Sequence, residues 1–379
     1  MEFAVRFTGK HDMNGNFFFR NRRLRPYRLP LVSTGEALEA FRSGRKTYII
    51  YDAATGWAIR PSYGADTSLY CSSDEGIRVG SEKTRFSRAP GKGIVRIALF
   101  GDSFIHGNEV SFSGSLGSHL EKKMNTQGGT AEVMNFGVPG YGIDQAYLRY
   151  LHKGRQFVPP VVILGLQCEN IKRDVNMLCP LYNPFAFLPF TKPRYLAMGE
   201  GLELLNSPPL PQDKVMPLLQ NMASWDLAPH EFWWNKEDYK ETLLTKSRFI
   251  SLLISLTSSE ESFYRLRNEP VAVSLKIIDL FRSEVESQGA AFLIVHLPTR
   301  QDIDFSRKGS KLLCRDFIKA LEEKNTVLKP EALLVKEKTA DLFCQGGHYT
   351  SKGNEIIAQS IAEHLEKTGS LKSRAPKQN

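Results

Sequence analysis

Three features of the sequence predict an α/β fold built on a doubly wound parallel sheet. Short apolar runs end at glycines or turns, stretches of helical periodicity lie between them, and residues able to do chemistry cluster in the loops after the runs. Residues 96–100 (RIALF), 132–136 (EVMNF), 161–166 (VVILGL) and 291–297 (AFLIVHL) read as strands buried on both faces. Between them, Leu116 and Leu120 stand at helical spacing, a helix follows from residue 144, and residues 271–286 and 312–323 are periodic. A last helix over residues 354–367, capped by Ser351, lines Ile356, Ile357, Ile361 and Leu365 on one face.

Outside this alternation the chain reads differently. Residues 1–92 form an N-terminal extension with a small β element (KTYIIY at 46–51, GWAIRP at 56–61) and a loop over residues 62–92. Residues 93–367 carry the α/β body. From about 179 to 235 prolines and aromatics interrupt the pattern, with a hairpin near residues 194–205. This is an insertion over the carboxyl edge of the sheet, either a lid or a structural cover. Residues 368–379 are a basic tail.

The net charge of +9 is located at the ends. Arg20, Arg22, Arg23, Arg25 and Arg28, with Lys367, Lys372, Arg374 and Lys377, account for it, which leaves the body near neutral. The arm FFFRNRRLRPYR is read as packing on the body, so no nucleic-acid partner is expected. No apolar run reaches the roughly 18 residues of a membrane span. The N-terminus lacks a basic segment followed by an apolar one, so the expected compartment is cytoplasmic. The five cysteines are scattered without CxxC spacing, which predicts buried free thiols rather than a disulfide framework or a zinc site. His296, inside a strand, reads as a packed core histidine. GxxxxGK and HExxH are absent, so neither a cofactor nor a metal is expected, and oligomeric state is not legible.

Ser103 follows the first core strand directly in GDSF, at the edge where open α/β sheets place their chemistry. A serine there can supply both a nucleophilic hydroxyl and a backbone N–H for an oxyanion. His348, in the glycine-flanked GGHYT loop before the last helix, is the candidate base. Gly140, after the second strand, and Asn170, after the third, are candidate oxyanion donors through a backbone N–H and a side-chain amide.

With these residues in order, GDSF (101–104), NFGVPG (135–140), GLQCEN (165–170) and GGHYTSKGNEIIA (346–358), the chain resembles the SGNH, or GDSL-like, hydrolases. The resemblance covers about residues 95–180 and 290–367. It implies a three-layer α/β/α sandwich with a five-stranded parallel sheet, Ser103 as nucleophile, Ser103, Gly140 and Asn170 as the oxyanion hole, and His348 as base. One position departs from the pattern: Gln345 stands where an aspartate is usual, three residues before the histidine. A glutamine can orient an imidazole but cannot stabilise its cation by charge. Asp341, or a main-chain carbonyl, is left to orient His348. The implied activity is that of a serine esterase or acyltransferase on an O-acyl ester, acetyl on a saccharide being favoured and a lipase or thioesterase the variant. The rival reading, kept open by the missing aspartate, is a degenerate binding or scaffold protein.

Overall fold

The computed structural model describes residues 2–65, 68–126, 130–186, 188–199, 201–256 and 263–369. Most of the expected basic tail therefore lies outside the described residues. The chain divides into two compact units. One holds residues 1–47, 51–57 and 175–268, the other residues 48–50, 58–174 and 269–379. This differs from the expected division at residue 92, because residues 58–92 cluster with the α/β body.

The α/β unit is built on a seven-stranded sheet. Its strands are β1 (Cys71–Ser72), β2 (Arg78–Val79), β3 (Val95–Phe100), β4 (Ala131–Asn135), β5 (Val161–Leu166), β6 (Ala291–His296) and β7 (Val327–Leu328), in the order β7-β6-β5-β3-β4-β2-β1. The run from β7 to β4 is parallel throughout, giving the expected five strands. Short strands β1 and β2 extend it on the β4 edge as an antiparallel pair. Both come from the segment read as loop, and each is two residues long, too short for a period-2 pattern to show.

Burial on both faces explains the apolar runs. Ile97, Leu99, Val133, Ile163, Leu293 and Val295 face helices α2 (Leu116–Thr126) and α7 (Ser351–Thr368) in one core cluster. On the opposite face Phe100 stacks on Phe136 and meets Tyr150 and Phe281 edge-on, Phe281 belonging to helix α5 (Glu269–Ser287). The result is the expected three-layer α/β/α sandwich. Thr350, not Ser351, caps α7, its hydroxyl accepting from Gly353 N–H at 3.2 Å. Arg96 is fully buried in β3 because its donors are used: Nε donates to Glu132 Oε2 on β4 at 2.6 Å, and Nη1 to Phe157 O at 2.7 Å.

In the other unit, strands Lys10–His11, Phe17–Phe19 and Arg22–Leu24 form a small antiparallel sheet. The hairpin is found at Arg194–Met198 and Gly201–Leu205. Leu178, Leu181, Val215, Leu219 and Met222 pack with Trp225, Trp233 and Trp234 into its core. The arginine-rich arm is engaged within this unit. Arg23 lies over the Tyr27 ring at 3.8 Å, Arg25 pairs with Asp238 at 2.8 Å, and Arg22 donates to Ser255 O at 3.0 Å.

Asp174 fixes the start of helix α3 (Ile143–Arg149) in the α/β unit. Its Oδ1 accepts from Ile143 N–H at 2.6 Å and Asp144 N–H at 3.1 Å, and its Oδ2 from the Ser274 hydroxyl at 2.6 Å. Asp174→Ala would strand these buried donors, and should lower unfolding free energy by about 3 kcal/mol. Ser274→Ala should cost roughly 1 kcal/mol, both read by urea denaturation.

Candidate active site

The site lies at the carboxyl ends of β3, β4 and β5, where the chain leaves β3 for β4 on one side and returns to β5 on the other. Ser103 is the first residue of the one-turn helix α1 (Ser103–His106), 8% exposed, so the expected loop is tightened into a helical turn. Gly101, at φ 151°, makes this turn possible. A Cβ there would lie 2.8 Å from both Gly165 O and Ile105 Cγ1.

Asp102 holds the turn from below. It is 1% exposed, and its Oδ1 accepts from Phe104 N–H at 2.9 Å. Its Oδ2 accepts from Asn170 Nδ2 at 3.0 Å, from Arg173 Nη1 at 2.8 Å and from the Gln167 amide. These partners stand at and within helix α4 (Cys168–Arg173), directly after β5.

His348 meets the serine. Its Nε2 is 2.9 Å from Ser103 Oγ, and its Nδ1 is 2.6 Å from Glu109 Oε2. The loop carrying it is a tight turn in which Cys344 N–H donates to His348 O at 2.7 Å and Phe343 bridges Tyr349. Ser103, His348 and Glu109 thus form one continuous hydrogen-bonded chain of hydroxyl, imidazole and carboxylate.

The carboxylate beside His348 differs from the one expected. Asp341 lies on the short helix Thr339–Leu342, half-exposed, with its carboxylate 3.5 Å from Lys352 Nζ; among the described residues it makes no contact with His348. Gln345 is exposed. Glu109, six residues after Ser103, is the carboxylate that faces His348 Nδ1, and residue-type spacing gave no sign of it. Its Oε1 accepts from Gly346 N–H at 2.8 Å and its Oε2 also from His348 N–H at 3.1 Å. Glycine is needed at 346, since a Cβ there would lie 2.7 Å from this carboxylate. Glu109 itself sits at φ 68°, a left-handed conformation that costs a non-glycine residue about 1 kcal/mol. Its own N–H donates to the Tyr70 hydroxyl at 2.9 Å, which holds it there. Tyr70 is in turn covered by Arg78, whose guanidinium lies 4.6 Å over the ring and donates to Val110 O at 2.8 Å.

Burial pushes the Glu109 carboxyl up, but the His348 imidazole and the N–H groups of Gly346 and His348 outweigh it and hold it below the ordinary glutamate value. His106, fully buried beside Ser103, is held well below the usual histidine value, first by burial and then by the Arg78 charge. It is therefore a neutral packing partner, with Nε2 2.7 Å from the Tyr48 hydroxyl.

The two oxyanion candidates differ. The loop bearing Gly140 is tied to the nucleophile turn by Val138 N–H donating to Gly101 O at 3.1 Å. Among the described residues no hydrogen bond runs from Ser103 N–H or Gly140 N–H to a protein acceptor. Asn170, by contrast, has both amide hydrogens committed, to Asp102 Oδ2 and to Tyr141 O at 3.1 Å. Its orientation is fixed because Oδ1 accepts from Gln167 N–H at 2.8 Å. In this arrangement Asn170 supports Asp102 instead of offering a free donor.

No family model matches the chain, and no curated protein matches it. Solved structures do. An acetyl xylan esterase, AlAXEase, is similar over 72% of this chain and 100% of its own, at 12% identity and TM-score 0.40. A lipase/acylhydrolase from Enterococcus faecalis is similar over 75% of this chain and 99% of its own, at 14% identity and TM-score 0.39. The psychrotrophic esterase EstA from Pseudoalteromonas sp. is similar over 72% and 98%, at 10% identity and TM-score 0.37. At such scores these likenesses lend no weight to the site, which stands on its own geometry.

A carboxyl held below its ordinary value stabilises the fold above that value and ceases to do so as pH falls through it. The stability difference between wild type and Glu109→Gln should therefore be full near neutrality and shrink as pH drops below about 4. Urea denaturation of both proteins between neutral and acid pH measures it.

Proposed function

We propose that the protein is a serine ester hydrolase acting through an acyl-enzyme on Ser103. The observation that carries this reading is the unbroken Ser103–His348–Glu109 chain, with separations of 2.9 and 2.6 Å. His348 takes the hydroxyl proton as Ser103 Oγ attacks the ester carbonyl, then returns it to the leaving alcohol. Glu109 accepts from Nδ1, fixing the tautomer that leaves Nε2 facing the serine, and stabilises the imidazolium that forms. The oxyanion is received by the N–H groups of Ser103 and Gly140, whose hydrogens have no protein acceptor. Water at the acyl-enzyme completes hydrolysis, and a hydroxyl acceptor in its place completes acyl transfer. An O-acyl ester with a small acyl group, acetyl on a saccharide, is the substrate class proposed.

The binding-protein reading rested on the missing aspartate and on the arginine-rich arm, of which Arg22, Arg23 and Arg25 are engaged within their own unit. Glu109 supplies the missing carboxylate, so that support falls away. Fluorophosphonate labelling and p-nitrophenyl acetate turnover separate the two readings. Wild type should label and turn over, and Ser103→Ala and His348→Ala should do neither. Absence of labelling in folded wild type would return the binding reading.

Glu109→Gln should retain the fold and lose about 10²–10⁴-fold in kcat, the loss expected when a triad keeps its shape without its charge. Asp341→Asn should stay within roughly 2-fold of wild type, since its carboxylate faces Lys352 and solvent. Steady-state rates of the two variants decide which carboxylate serves His348.

A further inference from the structure

On the far side of β5 from the nucleophile, a second cluster of reactive side chains stands at the same sheet edge. Cys168 opens α4, His296 ends β6, and Cys314 precedes helix α6 (Arg315–Glu322). The two cysteines are joined as a disulfide with Cα atoms 5.8 Å apart, contrary to the free thiols expected from their spacing. A separation of 146 residues hid the pairing.

The disulfide leaves one feature unexplained. His296 is 0% exposed, and its Nε2 has no hydrogen-bond partner among the described residues. A buried ring nitrogen in that state costs about 1–3 kcal/mol. Its Nδ1 is paired with the Glu331 carboxylate, which places the ring proton on Nδ1 and leaves the Nε2 lone pair as a donor. A ring nitrogen of His296 and the two sulfurs all lie within 4.8 Å of one another. Cys314 is fully buried and Cys168 is 8% exposed.

We propose that, when Cys168 and Cys314 are reduced, their thiolates and His296 Nε2 form a binding site for a soft divalent cation of the zinc type. Two sulfurs and one imidazole are a donor set that selects zinc over calcium or magnesium. Two thiolates neutralise the charge of the ion, which a buried site requires. The Glu331 carboxylate behind His296 is the outer partner that metal-bound histidines commonly have, raising ligand basicity and fixing the ring. A fourth position is left for water or another small donor.

Disulfide and metal exclude each other, so the site responds to redox state. A small-molecule disulfide of the glutathione type accepts two electrons from the paired thiolates. The S–S bond between Cys168 and Cys314 forms, the S–S bond of the oxidant breaks into two thiolates, and the cation is released. Metal uptake here is independent of the ester chemistry proposed for Ser103.

The test uses the full chain reduced with a phosphine and equilibrated with Zn²⁺, and separately with Co²⁺ as a spectroscopic probe. Reduced protein should retain about one zinc per chain and give the thiolate-to-cobalt absorption of a tetrahedral site. Protein oxidised with glutathione disulfide should give neither. His296→Gln should weaken binding at least tenfold, and Glu331→Gln by about 10–100-fold. Cys314→Ser, which keeps residue size and the His296–Glu331 pair, should remove the cobalt spectrum. A reduced, folded chain with both thiols titratable and no bound zinc would overturn the proposal. Binding unchanged in His296→Gln, or a cobalt spectrum retained in Cys314→Ser, would do the same.

Discussion

The geometry of the site depends on one buried carboxylate. Asp102 is 1% exposed, yet its two oxygens receive donors from Phe104, Gln167, Asn170 and Arg173. A buried charge is tolerable only when so satisfied, and that demand reaches across two neighbouring strand ends. Meeting it brings the turn after β3 and the helix after β5 to fixed positions. Ser103 is the next residue, so its hydroxyl inherits this placement. Arg173 and Asn170 also bond Tyr141 O, at 3.0 and 3.1 Å, which ties in the loop after β4. The same set of bonds therefore positions Ser103, the loop after β4 and the helix start together.

The carboxylate that faces His348 is recruited locally. Glu109 lies six residues from Ser103 in the same excursion of chain, whereas His348 arrives from the far end of the sequence. Orienting the base therefore does not depend on an aspartate within its own loop. The cost is a left-handed glutamate, φ 68°, at a side chain that is 29% exposed. Three N–H donors, from Gly346, His348 and the imidazole, offset it, and the Tyr70 hydroxyl receives the N–H that the turn would otherwise strand. Solvent at this carboxylate weakens its field on the imidazole relative to a buried acid, and the convergence of donors compensates by fixing distance and direction.

What could be read in the sequence follows from how local the signals are. Strands β3 to β6 were legible because burial on both faces writes itself as an apolar run. That Ser103 and His348 could meet was legible because a strand-end serine and a glycine-flanked histidine before a helix are short patterns. Strands β1 and β2 were not, since two residues cannot show a period. Glu109 was hidden for a different reason. A glutamate in a turn is ordinary in sequence, and its role depends on a backbone conformation and on a tyrosine 39 residues earlier. Asn170 was placed at the correct strand end, but its role turned on a neighbour: with Asp102 in reach, its amide is spent on a carboxylate.

Helix α4 joins the two sites at the sheet edge. It is six residues long, with Cys168 at its first position and Asn170 and Arg173, which hold Asp102, on its next turn. A helix of that length has little cooperativity of its own and takes its position from what fixes its ends. Asp102 holds its start through the Gln167 amide and its body through Asn170 and Arg173, and Cys168 adds a bond to Cys314 at the first residue. The bonds to Asp102 therefore set the register of Asn170 and Arg173 whichever partner Cys168 has.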